Sequence, residues 1–142
     1  MTARSGNVSA RFHKNTLLVT AHDSYLGELT AADILTIDTA GRVLSGEREP
    51  TSEKELHVHI LQAFEEARVV LHAHPPFTTA FFHYFSELDI FSFEARFYLG
   101  RVPIIDQVTP TVTDCVPVIA ALESSRIVVL RDHGVVAVGT DY

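Results

Sequence analysis

Between Pro50 and Pro76 the apolar residues change their period, and that change constrains the fold more than any other feature of the chain. Leu56, Ile60, Ala63, Phe64 and Ala67 recur at helical spacing, and Ser52 with Glu55 three residues on has the form of an N-terminal capping box. Arg68-Val69-Val70-Leu71-His72 follows almost at once, a β-branched run suited to a buried strand, and Pro75-Pro76 stops it. A helix running into a buried strand in this way calls for a sheet with helices laid on it.

The rest of the chain extends that pattern. Asn7 to Arg11 and Thr16 to Thr20 are extended in character, with Phe12-His13-Lys14-Asn15 as a polar turn between them, so the chain opens with a hairpin. Leu35 to Asp38 and Arg42-Val43-Leu44 form a second hairpin turning at Ala40-Gly41. A helix from Phe77 to about Phe85, a strand from Val102 to Ile105 and a helix from Thr113 to Ser124 with Pro117 in its first turn come next. Two last strands, Ile127 to Leu130 and Val135 to Val138, flank His133-Gly134. No internal repeat or interdomain linker interrupts the 142 residues, a length that suits one core. The expected architecture is a single α/β domain over residues 1–142, with a central, largely antiparallel or mixed β-sheet flanked by helices.

Charge and apolar run lengths narrow the function. With 11 Lys+Arg against 18 Asp+Glu the formal net charge is -7, which repels a nucleic-acid backbone or an anionic membrane surface. The longest apolar stretches, such as Val116 to Leu122, fall far short of the roughly 20 residues of a spanning helix. Met1 to Ser5 lead into polar sequence with no apolar signal segment, and Cys115, the single cysteine, has no internal partner. These features lead us to expect a cytoplasmic protein with neither a nucleic-acid nor a membrane partner.

The 8 histidines, beside 1 methionine and no tryptophan, carry the chemical signal. His72-Ala73-His74 ends a predicted strand, where side chains two apart point the same way and two imidazoles can reach one ion. The competing reading is a pair of solvated or core histidines. His57-Val58-His59 has the same spacing inside the predicted helix, where the two rings stand roughly 200° apart and share no ion. His57 lies one turn after Glu53, and a surface ion pair is the simplest account of the two. His133, between two strands, is a natural third ligand or a plain turn residue. Pro50-Thr51-Ser52-Glu53 presents N–H groups, two hydroxyls and a carboxylate at a helix start, either an anion site or an ordinary cap.

Taken in order, Gly6-Asn7-Val8-Ser9, Leu17-Leu18-Val19-Thr20, Leu29 to Ile34, Pro50-Thr51-Ser52-Glu53, His72-Ala73-His74 and His133-Gly134-Val135 resemble the class II aldolase/adducin family along nearly the whole chain. The resemblance implies that His72, His74 and His133 are metal ligands, for Zn2+ or another divalent transition metal, and that Glu53 is the catalytic acid/base. Gly6, Asn7, Thr51 and Ser52 match positions that hold the substrate phosphate in the family's sugar-phosphate aldolases. The implied activity is aldolase-type cleavage or formation of a C–C bond through a zinc-stabilised enediolate, on a small sugar or other hydroxy-carbonyl substrate. The implied assembly is a homotetramer or other homo-oligomer. A decarboxylase or dehydratase using the same metal site, or a non-catalytic adducin-like interaction domain, are the alternatives.

The sequence also departs from the family. Ala21-His22-Asp23 stands where phosphate-binding members carry Pro, a small hydroxyl residue and Gly, so Asp23 opposes a phosphate dianion there. Both ends of the chain are short relative to the family. Ile90 to Leu99, including Glu94 and Tyr98, contains no matched counterpart of the tyrosines that assist proton transfer in the aldolases.

Overall fold

The computed structural model describes residues 6–141; the reading of Met1 to Ser5 lies outside them. Eight strands form one sheet: β1 (Gly6–His13), β2 (Thr16–Thr20), β3 (Ile34–Asp38), β4 (Val43–Ser45), β5 (Val69–Ala73), β6 (Ile104–Asp106), β7 (Ile127–Arg131) and β8 (Gly134–Gly139). Their spatial order is β4-β3-β2-β1-β5-β8-β7-β6, antiparallel throughout except for the parallel pair β6–β7. Four helices, α1 (Lys54–Ala63), α2 (Pro76–Tyr84), α3 (Phe93–Leu99) and α4 (Val116–Leu122), accompany the sheet. The expected mixed, largely antiparallel α/β architecture is the one observed.

Alternation along the strands divides the core. Leu17, Val19, Leu35, Ile37, Val70, Val128, Leu130 and Val136 point to the face covered by α1 and α4, and with Leu56, Ile60, Leu61, Val118 and Leu122 they form the main cluster. Val129 and Val135 point the other way and meet Phe82 of α2. His72 sits two residues after Val70 and so shares the main-core face, fully buried.

Several element boundaries differ from the sequence expectation. Ser52 is exposed and does not cap α1; Glu53 occupies the cap position without a side-chain cap bond. The first-turn N–H groups are taken instead by backbone carbonyls, Lys54 N–H by Thr51 and Leu56 N–H by Glu53, so no capping box with Glu55 is needed. The helix ends at Ala63 rather than running on to Ala67. Arg11 of β1 donates to the carbonyls of Leu61, Phe64 and Ala67 there, and Ala67 is buried by the turn that follows. The segment expected as helix from Thr113 becomes helical only at Val116, whose N–H is taken by Asp114 Oδ1 at 3.0 Å, with Pro117 in the first turn. Helix α3, absent from the sequence reading, is capped by the Ser92 hydroxyl on Ala95 N–H and closed by Gly100 at φ 56°.

Candidate metal centre

The centre forms where four pieces of backbone end together. Asn7 of β1 pairs with His72 of β5, and His72 pairs in turn with Val136 of β8, so the starts of the two flanking strands lie beside the C-terminal end of β5. The β7–β8 turn swings His133 over this end, and Glu53 enters from the start of α1. Two glycines allow the crowding. A Cβ on Gly6, which has φ +122°, would run into the His72 carbonyl, and one on Gly134 would run into the Ala73 carbonyl and the His74 ring.

Three imidazole nitrogens meet here. His72 Nε2 lies 2.8 Å from His74 Nε2 and 3.0 Å from His133 Nε2, and Glu53 Oε2 approaches His72 Nε2 at 3.1 Å. His133 Nε2 stands 3.6 Å from Glu53 Oε1, and one donor atom from each of the four residues falls within a 4.8 Å group. The His72 ring is oriented by its other nitrogen, whose Nδ1–H donates to the Val135 carbonyl at 2.9 Å. In the neutral ring, Nε2 therefore carries a lone pair, and that lone pair faces a carboxylate oxygen. Burial, together with the His74 and His133 rings, pushes the His72 pKa down to about 4 against the pull of Glu53, so the ring is neutral at pH 7. Burial and His133 lower His74 as well. An acceptor facing an acceptor at 3.1 Å is relieved by a cation placed between them. Three imidazoles and a carboxylate are a suitable donor set for a divalent transition ion.

Glu53 is ionised. Burial alone would raise its pKa, but His133, His72, a hydrogen bond from Asn7 Nδ2 to Oε2 at 3.0 Å and another from Val112 N–H to Oε1 at 3.1 Å bring it down to about 2. Among the other expected site residues, Asn7 and Thr51 are buried beside Glu53, and Thr51 Oγ1 accepts from Glu53 N–H at 3.3 Å. Ser52 is exposed next to them. Asp23, at φ 55°, is exposed on the loop whose neighbour Ala21 bridges to Pro50, with His22 Nε2 3.5 Å from its carboxylate.

The surface ion pair expected for His57 is not what forms. His57 is fully buried, with Nδ1 2.7 Å from Ser9 Oγ and Nε2 2.5 Å from Asn7 Oδ1, while His59 is exposed. A signal for its burial was present, since His57 lies four residues before Leu61 on the core side of the helix. Val112 was not recognisable in advance, because its contribution is a backbone N–H delivered by a loop. His83 of α2 joins the rim without any sequence motif to mark it; its Nδ1 lies 2.7 Å from Asp132 Oδ1 beside His133. Tyr98 lies far from the centre, in a groove lined by Arg126 and Gly139 at the opposite end of β7 and β8.

The chain resembles known proteins throughout. It is 32% identical over 143 residues to an L-fuculose phosphate aldolase of Methanococcus maripaludis, covering 96% of this chain and 73% of that one. Over 77 residues it is 42% identical to a methylthioribulose-1-phosphate dehydratase of Methylococcus capsulatus, covering 54% of this chain and 37% of that one. A 3-oxo-tetronate 4-phosphate decarboxylase of Haemophilus influenzae is 32% identical over 146 residues, covering 96% and 68% of the respective chains. The crystal structure of L-fuculose-1-phosphate aldolase from Thermus thermophilus superposes with a TM-score of 0.85 at 30% identity, over 100% of this chain and 71% of that one. Relatives thus include an aldolase, a dehydratase and a decarboxylase. The profile of the class II aldolase and adducin N-terminal domain matches residues 1–142, and with the Glu/His/His/His centre in place the chain belongs to that family.

Proposed function

We propose that the protein is a lyase that makes or breaks a carbon–carbon bond in a small sugar-like hydroxy-carbonyl compound, with His72, His74 and His133 holding one divalent ion, zinc in the first instance. The observation that carries this reading is the His72 Nε2 lone pair facing Glu53 Oε2 at 3.1 Å, with two further imidazole nitrogens alongside. When bound, such an ion supplies Lewis-acid stabilisation of negative charge on substrate oxygens.

The chain's own groups do the rest. Glu53, ionised and held on both oxygens, accepts a proton from the substrate and returns it at the reacting carbon. Asn7 retains one Nδ2–H beyond its bond to Glu53, and with Gly6, Thr51 and Ser52 it forms the wall that would bind the rest of the substrate. The exposed Asp23 carboxylate on the adjacent loop works against a phosphate dianion there. We place the protein in the cytoplasm as a homotetramer or other homo-oligomer, with residues 1–142 as one domain. No helix among the described residues is long and apolar enough to cross a membrane.

A dehydratase sharing this centre is the second reading, favoured by the 42% identity to the methylthioribulose-1-phosphate dehydratase. The experiment is a paired assay of zinc-supplemented protein on L-fuculose 1-phosphate, unphosphorylated L-fuculose and methylthioribulose 1-phosphate. Aldehyde release that is lost in Glu53→Gln supports the lyase reading. Loss of water from the third substrate without C–C cleavage supports the second, and turnover unchanged in Glu53→Gln contradicts the role of Glu53.

A further inference from the structure

A buried chain of hydrogen bonds runs behind Glu53, and its direction can be deduced from one end. The Glu53 carboxylate only accepts, so the group 3.0 Å from Oε2 is the Asn7 Nδ2 amide. That orientation turns Asn7 Oδ1 toward His57 Nε2 at 2.5 Å, and a carbonyl oxygen also only accepts, so Nε2 bears the proton. Neutral His57 then has an acceptor at Nδ1, and Ser9 Oγ, 2.7 Å away, must be the donor. Every donor in the series Ser9, His57, Asn7 points toward the carboxylate. All four residues are buried, and the His57 side chain is 0% exposed, so water does not substitute for any member of the series. Burial keeps His57 neutral, in keeping with this arrangement.

We propose that His57 is a positioning residue for Glu53. It fixes the Asn7 amide with Nδ2 toward the carboxylate and thereby aims Glu53 at the histidine cluster. Without the His57 Nε2–H, Asn7 Oδ1 is left a buried acceptor with no donor, and the amide loses the second hold that fixes the position of Nδ2 against the Glu53 carboxylate. The inference rests on the lyase reading for its kinetic consequence, though not for its hydrogen-bond polarity.

The test has two independent arms. Long-range proton–nitrogen NMR of the 15N-labelled, zinc-supplemented protein at pH 7 should show His57 as the Nε2–H tautomer. An Nδ1–H tautomer or a doubly protonated ring overturns the proposal whether or not any substrate turns over. In the second arm, His57→Phe and His57→Gln are compared on whichever probe of the paired assay the wild type converts. His57→Phe should lower kcat by about a hundredfold, the scale of a misplaced catalytic group, with KM within about threefold and the zinc-to-protein ratio unchanged. His57→Gln offers an N–H to Asn7 and a carbonyl to Ser9, and should restore most of the loss. A His57→Phe protein that loses only melting temperature, with kcat intact, shows a purely structural histidine and overturns the proposal. A wild type inactive on all three probes counts against the lyase reading, and the tautomer then decides the positioning claim alone.

Discussion

The molecule contains the sequence His-x-His twice, and the two copies have opposite fates. In β5 and its extension, His72 and His74 bring their Nε2 atoms to 2.8 Å. In α1, His57 is buried in a hydrogen-bond chain while His59 faces solvent. The residue spacing is identical; the backbone period is not. A two-residue repeat aligns the rings on one face of a strand, and a 3.6-residue repeat sends them to opposite sides of a helix. Metal-binding capacity thus belongs to the motif together with the element that carries it.

The largest expected effect breaks the strand copy. His72→Ala should abolish both metal retention and turnover, since it removes the ring whose Nε2 touches all three other members of the centre; elemental analysis with a kinetic assay checks this. Glu53→Gln comes next. It should retain metal and lower kcat by about 10²–10⁴-fold, the range for losing a general acid or base. Gly134→Ala tests the packing that lets the strand copy converge. Its Cβ would collide with the Ala73 carbonyl and the His74 ring, and a loss of about 1–3 kcal/mol should appear in urea unfolding.

The helix copy yields a pH signature. Burial, with smaller contributions from its neighbours, depresses the pKa of His57 to about 3 from its ordinary 6.5, so the unfolded state binds a proton that the folded state refuses. Its stability contribution is complete above pH 6.5 and is lost progressively as pH falls toward 3. The urea midpoint should therefore fall less steeply with acidification in His57→Phe than in the wild type. The smallest effect belongs to the exposed partner: His59→Ala should change stability by less than about 0.5 kcal/mol and leave metal content and kcat unaltered.

Much of this fold was legible because its strands carry clean local signals. The run Val69-Val70-Leu71, the Ala40-Gly41 turn and the proline stop after His74 each specify an element without help from distant residues. The histidine cluster was visible for the same reason, since His72 in β5 and His74 just beyond it supply two of its rings and a strand-to-strand turn supplies the third. What escaped depends on tertiary contacts. Helix α3 spans only 7 residues and buries none of them, so the Phe93–Phe97 spacing is too short a pattern to reveal it, although Ser92 and Gly100 mark its ends. The early end of α1 follows from Arg11, distant in sequence, reaching the last carbonyls. The burial of His57 has a local signal in its spacing to Leu61, but its hydrogen-bond role does not, because its partners, Ser9 and Asn7, come from a strand that only folding brings alongside.

The capacity of His72, His74 and His133 to hold a divalent ion is the point on which the proposed chemistry turns. The most direct measurement is elemental analysis of untagged protein purified without chelator, beside His74→Ala and His59→Ala prepared identically. About one zinc or similar ion per chain is expected in the wild type and in His59→Ala, and none in His74→Ala. Metal absent from the wild type and not taken up on addition, or retained equally in all three proteins, would contradict it.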